Sequence, residues 1–137
     1  MKIIIRLVFA LVLIGFMSCS AEKESKMAKT TKMESSKKLL RHVVLFSFKE
    51  EASDADVAKI EAAFSALPSK ILQIQDYEWG LNNSPEGLDK GFTHCFFLTF
   101  KSEEDRAIYL PHPDHKAFGA VLGPHLKDVL VIDYWTK

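Results

Sequence analysis

Four of the five histidines in this 137-residue chain sit where an imidazole could meet a ligand: His42, His94, His112 and His115. The last two belong to Tyr109-Leu-Pro-His-Pro-Asp-His115. Pro113 suits the first turn of a helix, and at 100° per residue Phe118, Gly119 and Leu122 fall on nearly the same side as His115, which places its ring inward. An imidazole titrates near neutrality, so a ring held there can act as a general base. The same placement suits a hydrogen-bonded core histidine bracing the His-Pro-Asp-His turn, since buried polar groups find partners.

His42 and His94 each stand near the start of an apolar segment of β character. If the first and third strands run parallel as neighbours, the two rings lie at similar height on the face of Phe46 and Phe96, lining the pocket that His115 enters. Four histidines also raise a zinc site. The two-residue spacer between His112 and His115, broken by Pro113, lacks the spacing of a metal motif, and no metal is expected. Cys95 lies mid-strand and reads as a small hydrophobe, Ser47 and Ser84 carry no nucleophile motif, and the glycines form no phosphate loop. Phe92, Phe96, Phe100, Tyr77, Trp79, Tyr134 and Trp135 fit an aromatic pocket or a core.

The elements that would hold these residues begin near Leu39. Residues 41–49, RHVVLFSFK, alternate His42, Val44, Phe46 and Phe48 against Val43, Leu45 and Ser47, as a strand does. Ser53 with Asp56 three residues on predicts a helix start, and Val57, Ile60, Phe64 and Leu67 form its apolar stripe up to Pro68. A strand from Ile71 to Leu81, the turn-rich NNSPEGLDKG and a strand from Phe92 to Phe100 follow. Ser102 and Asp105 repeat the capping signal for a helix ending before Pro111. The Pro113 helix then runs to about Leu122, and residues 129–135 close the domain as a strand. The order β-α-β-β-α-α-β predicts an α+β fold of the ferredoxin-like kind, an antiparallel sheet with helices on one face.

That architecture leaves one sheet face bare, yet Val43, Leu45, Cys95, Phe97 and alternate residues of VLVIDYW are apolar on it. A soluble monomer rarely tolerates such a patch, so a second copy packed sheet to sheet is expected. RHVVLFSFK, WGLNNS, FTHCFFLTF followed by KS, YLPHPDHKAFG and VIDYW together resemble the stress-responsive alpha/beta barrel (Dabb) family across residues 41–135. The resemblance implies a dimeric alpha+beta barrel. The best-defined enzyme of that family is a plant polyketide cyclase that closes a ring by an intramolecular aldol reaction without metal or organic cofactor. Carried over residue by residue, His115 matches its catalytic base and Tyr109 the tyrosine that holds the substrate carbonyl. His42, His94, His112, Phe96 and Phe118 are then the expected ligand-binding residues.

The N-terminus reads as an address. Lys2 and Arg6 precede the uncharged run Leu7–Met17, which is too short to span a bilayer and ends in Ser18-Cys19-Ser20-Ala21. This order resembles a bacterial lipoprotein signal, with residues 1–18 removed and Cys19 lipidated; ordinary cleavage after Ala21 is the alternative. Residues 19–38 are polar and aperiodic, a disordered tether to the domain of residues 39–137. Residues 1–18 carry a formal charge of +2, residues 19–40 +3 and residues 41–137 −5, which argues against nucleic acid as a partner. The expectation is an exported, membrane-anchored homodimer that binds a small apolar or aromatic molecule. Cofactor-free acid–base catalysis and a structural role in envelope stress are the alternatives. Polyketide thioesters are made in the cytoplasm, so an exported chain would use another substrate.

Overall fold

The computed structural model describes residues 38–137. The expected leader, Cys19 and all but the last residue of the tether lie outside them. Among the described residues no helix is long and apolar enough to cross a membrane.

Strand β1 (Leu40–Phe48) leads into helix α1 (Asp54–Ser65). The helix starts where the sequence places it, because Ser53 Oγ accepts from the Asp56 backbone N–H and the Asp56 carboxylate accepts from the Ser53 N–H, a reciprocal capping box. Ile60 and Phe64 are its buried face. The helix ends at Ser65, and Pro68 sits in the first turn of a short second helix, α2 (Leu67–Lys70). The expected strand from Ile71 therefore begins five residues later, as β2 (Asp76–Leu81). The Ile71 N–H donates to Leu67 O and the Ile74 N–H to Ile71 O, coiling this stretch so that both isoleucines plug the core.

Strand β3 (His94–Phe100) returns antiparallel. Helix α3 (Glu103–Tyr109) is capped by Ser102, whose side chain accepts from the Asp105 N–H. Helix α4 (Pro113–Leu122) is capped by His112, and β4 (Leu126–Trp135) ends the domain, starting three residues before its expected position. The sheet order is β2-β3-β1-β4 with every neighbouring pair antiparallel, the ferredoxin-like α+β fold.

The core lies between the sheet and the helices. Phe46, Phe64, Phe96 and Phe118 meet there, Phe64 stacking on Phe96 at 4.3 Å between centroids and meeting Phe118 edge-on at 4.7 Å. The opposite sheet face is uncovered: Val43, Leu45, Cys95 and Phe97 are only half-buried there. The edge strand β4 is open on both sides, with Leu130 and Ile132 exposed on one face and Val129 and Val131 on the other, each 41–47% accessible.

The antiparallel β1–β3 pairing corrects the expected parallel one. In register, His42 faces Leu98 whereas His94 faces Phe46. The two histidines share a face but stand four residues apart along the sheet, about 13 Å at roughly 3.3 Å per residue. In this topology β3 lies between the parallel strands β1 and β2 and opposes both, so the start of β3 meets the far end of β1.

Candidate active site

Strand β1 turns His42 toward the helices, where it is 5% exposed. β4 places Asp133 directly opposite it, and the His42 Nδ1–H donates to Asp133 Oδ1 at 2.7 Å. The carboxylate acceptor fixes the proton on Nδ1 and leaves Nε2 with its lone pair. The other carboxylate oxygen, Oδ2, pairs with Arg106 of α3 at 2.9 Å. Burial holds the His42 pKa below the ordinary imidazole value. The Asp133 hydrogen bond and charge oppose that shift, while the charges of His115 and Arg106 add to it.

Tyr109, at the end of α3, is 1% exposed and lies between two imidazoles. Its ring centroid is 4.3 Å from that of His115 and 5.7 Å from that of His42, with Phe100 at 5.1 Å. Desolvation, aided by the neighbouring Tyr77, pushes its phenol pKa well up, so the hydroxyl keeps its proton as a hydrogen-bond donor. Among the described residues nothing hydrogen-bonds that hydroxyl, and with the residue 1% exposed the phenol is enclosed by its aromatic neighbours Phe100, His42 and His115.

His115, in the first turn of α4, is half-buried. Its Nδ1 lies 2.9 Å from the Leu110 carbonyl oxygen. A carbonyl can only accept, so the proton is on Nδ1 and Nε2 is the basic atom. Phe118, one turn on, has its ring 6.3 Å from the imidazole and walls the site against the core.

The structure thus brings together Tyr109, His115, His42 and Phe118, and separates the rest. His94 lies at the other end of the sheet, its Nε2–H donating to Glu61 Oε1 at 3.0 Å and its Nδ1 2.8 Å from Thr93 Oγ1. Its expected place beside His42 fails on the strand direction. Phe96 stacks on Phe64 and Trp79 in the core near His94. His112 is engaged in capping, its Nδ1 accepting from the Asp114 N–H at 3.2 Å. Among the described residues no three His, Cys, Asp or Glu side chains gather as metal ligands. A cleft of about 450 Å³ between the β2–β3 loop and Leu45, Cys95 and Phe97 is floored by the uncovered sheet face, away from Tyr109 and His115.

Asp133 and Arg106 are the members that the sequence pattern does not reveal. The available signal was Asp133 as the one charged residue in the otherwise apolar segment 129–135.

The sequence profile of the stress responsive A/B barrel domain matches residues 40–136. The chain belongs to this family. Among Dabb proteins, it is 37% identical over 102 residues to the stress-response A/B barrel domain-containing protein HS1 of Arabidopsis thaliana, covering 74% of this chain and 94% of the relative. It is 28% identical over 95 residues to olivetolic acid cyclase of Cannabis sativa, covering 69% and 94%. The hydroxynitrile lyase of Passiflora edulis superposes with a TM-score of 0.68 at 25% identity, covering 72% of this chain and 94% of that one. A dimeric ferredoxin-like protein of unknown function from Bacteroides fragilis gives 0.60 at 26% identity, covering 72% and 96%. The Dabb fold therefore includes enzymes, a cyclase and a lyase among them.

Proposed function

We propose that the domain binds a small carbonyl compound with an apolar or aromatic body and moves a proton at the carbon next to the carbonyl, without metal or organic cofactor. The observation that carries this is the pairing of Tyr109 with His115: a buried, protonated phenol packed against a half-buried imidazole whose Nδ1–H is tied to Leu110 O. Tyr109 donates its O–H to the carbonyl oxygen. His115 Nε2 takes the α-proton, and the C–H electron pair moves into the enolate that the phenol stabilises. The imidazolium then returns its proton to the product, so no other reactant is consumed. His42 and Phe118 line the remaining sides. Support also comes from a cyclase and a lyase among the relatives, since the same pair of groups could serve either.

The working unit in this proposal is a homodimer. β4 exposes apolar side chains on both faces and the sheet is bare on one, more than an isolated domain of this size normally leaves in water; the Bacteroides fragilis relative is dimeric. The domain is further proposed to be exported and held at a bacterial envelope membrane through acylated Cys19, on the order of charged, apolar and small residues before it.

Deuterium exchange tests the chemistry. Incubating the protein with a panel of small aryl and alkyl ketones in heavy water, followed by proton NMR, should show faster loss of α-proton signal for at least one class. His115→Ala and Tyr109→Phe should each abolish the acceleration. Exchange equally fast in both variants, or no acceleration together with no saturation-transfer contact from any ketone, would overturn the proposal.

A further inference from the structure

We propose that Arg106 is a positioning residue that keeps His42 a neutral Nδ1–H imidazole by sharing the Asp133 carboxylate with it; this rests on the acid–base role proposed for Tyr109 and His115. Asp133 divides its two oxygens, Oδ1 to His42 Nδ1 at 2.7 Å and Oδ2 to Arg106 at 2.9 Å. The three groups come from β1, β4 and α3, so the arrangement is made by tertiary packing. An unshared carboxylate beside a histidine favours the imidazolium. Here the guanidinium balances the carboxylate, which then serves His42 as a hydrogen-bond acceptor more than as a counter-ion. The charged or titratable groups facing His42 are Asp133 from β4, Arg106 and Tyr109 from α3, and His115 from α4.

The chemical reason lies around Tyr109. The phenol is flanked by both imidazoles, at 5.7 and 4.3 Å between centroids. In the proposed reaction His115 becomes cationic when it takes the substrate proton. A second cation at His42 would repel it, and the burial of His42 and of Tyr109 between them weakens the screening of that repulsion. Holding His42 neutral leaves room for one transferred proton, on His115. Arg106 also stands one turn before Tyr109 on α3, so the ion pair fixes the helix that carries the phenol.

The test reads His42 itself and needs no substrate. In the ¹⁵N-labelled full chain, long-range nitrogen–proton spectra should show His42 as the Nδ1–H tautomer across neutral pH. In Arg106→Met, which keeps the stem and removes the charge, His42 should titrate at higher pH. Its neutral form should keep the Nδ1–H tautomer, because Asp133 Oδ1 remains to accept that proton. Arg106→Lys should restore the wild-type titration in part, because it returns the charge without the planar fork. A His42 titration unchanged in Arg106→Met, with or without lower stability, would overturn the proposal. So would a downward shift in the His42 titration. If Arg106→Met fails to fold, the Arg106→Lys spectrum decides, a titration close to wild type supporting the proposal and one shifted clearly upward despite the retained charge refuting it. Ketone exchange could fail while these spectra come out as expected, so the two proposals fall separately.

Discussion

Replacing Asp133 by Ala should cost more than its place on an exposed edge strand suggests. The substitution orphans the His42 Nδ1–H, which is buried, and a buried donor without a partner costs about 1–3 kcal/mol. It also ends the ion pair with Arg106, whose side chains are 24% and 32% exposed, worth about 0–1 kcal/mol after solvent screening. Together these give a loss of about 1–4 kcal/mol at pH 7.5. A pH signature should accompany it. His42 already titrates below its unfolded value of 6.5, so below that pH the unfolded chain binds more protons than the folded one, and stability falls with acid. Removing Asp133 takes away the interactions that pull the His42 pKa upward, so the folded imidazole resists protonation still more. The loss between pH 7.5 and 5.5 should therefore be steeper in Asp133→Ala than in wild type. Urea unfolding followed by circular dichroism at the two pH values measures both effects. A destabilisation below about 0.5 kcal/mol with an unchanged pH slope would show that His42 does not depend on Asp133.

Tyr109→Phe should leave stability within about 1 kcal/mol of wild type, because the hydroxyl has no partner among the described residues to lose, while ketone exchange is abolished; calorimetry and proton NMR on one sample compare the two. His115→Ala should cost about 0.5–1.5 kcal/mol for its single hydrogen bond to Leu110, and a loss well beyond that would make the residue a core brace instead of a base. Ile132→Lys places a charge on the exposed apolar face of β4 and should convert a dimer burying more than roughly 1,200 Å² into a monomer, as read by light scattering. Cys19→Ala should release the protein from the membrane fraction, because one acylated cysteine is the proposed anchor; unchanged detergent partitioning would refute it.

Local signals in the sequence were reliable where the chemistry is local. The Ser53–Asp56 box, the Ser102 cap and Pro113 after His112 each mark a helix start, because capping involves groups two or three residues apart. The alternation in RHVVLFSFK gave the buried face of β1 for the same reason. Residues 71–75 resemble a strand in composition, yet they coil, since two isoleucines three apart can both reach the core only from a turn. Strand direction is not written in any one segment, and the wrong direction for β3 put His94 beside His42. Asp133 was invisible for a related reason: it lies 91 positions from its partner, and only the β1–β4 register, set by the whole sheet, brings it to His42.

That same register sets an order of events as the chain is made. β1 is central, with β3 on one side and β4 on the other, and β4 is the last of the four strands in chain order among the described residues. Every β1–β4 pair closes a loop of roughly 80–95 residues, an entropic cost that slows the step relative to local contacts. Until residues 126–135 emerge from the ribosome, one flank of β1 offers unpaired backbone donors and acceptors beside Val43 and Leu45, a template for joining to other strands. Asp133 arrives with that final strand, so His42 gains its hydrogen-bond acceptor in the same step that seals the edge. The His42–Asp133 pair and the protection against misassociation are therefore completed together, when β4 joins the sheet.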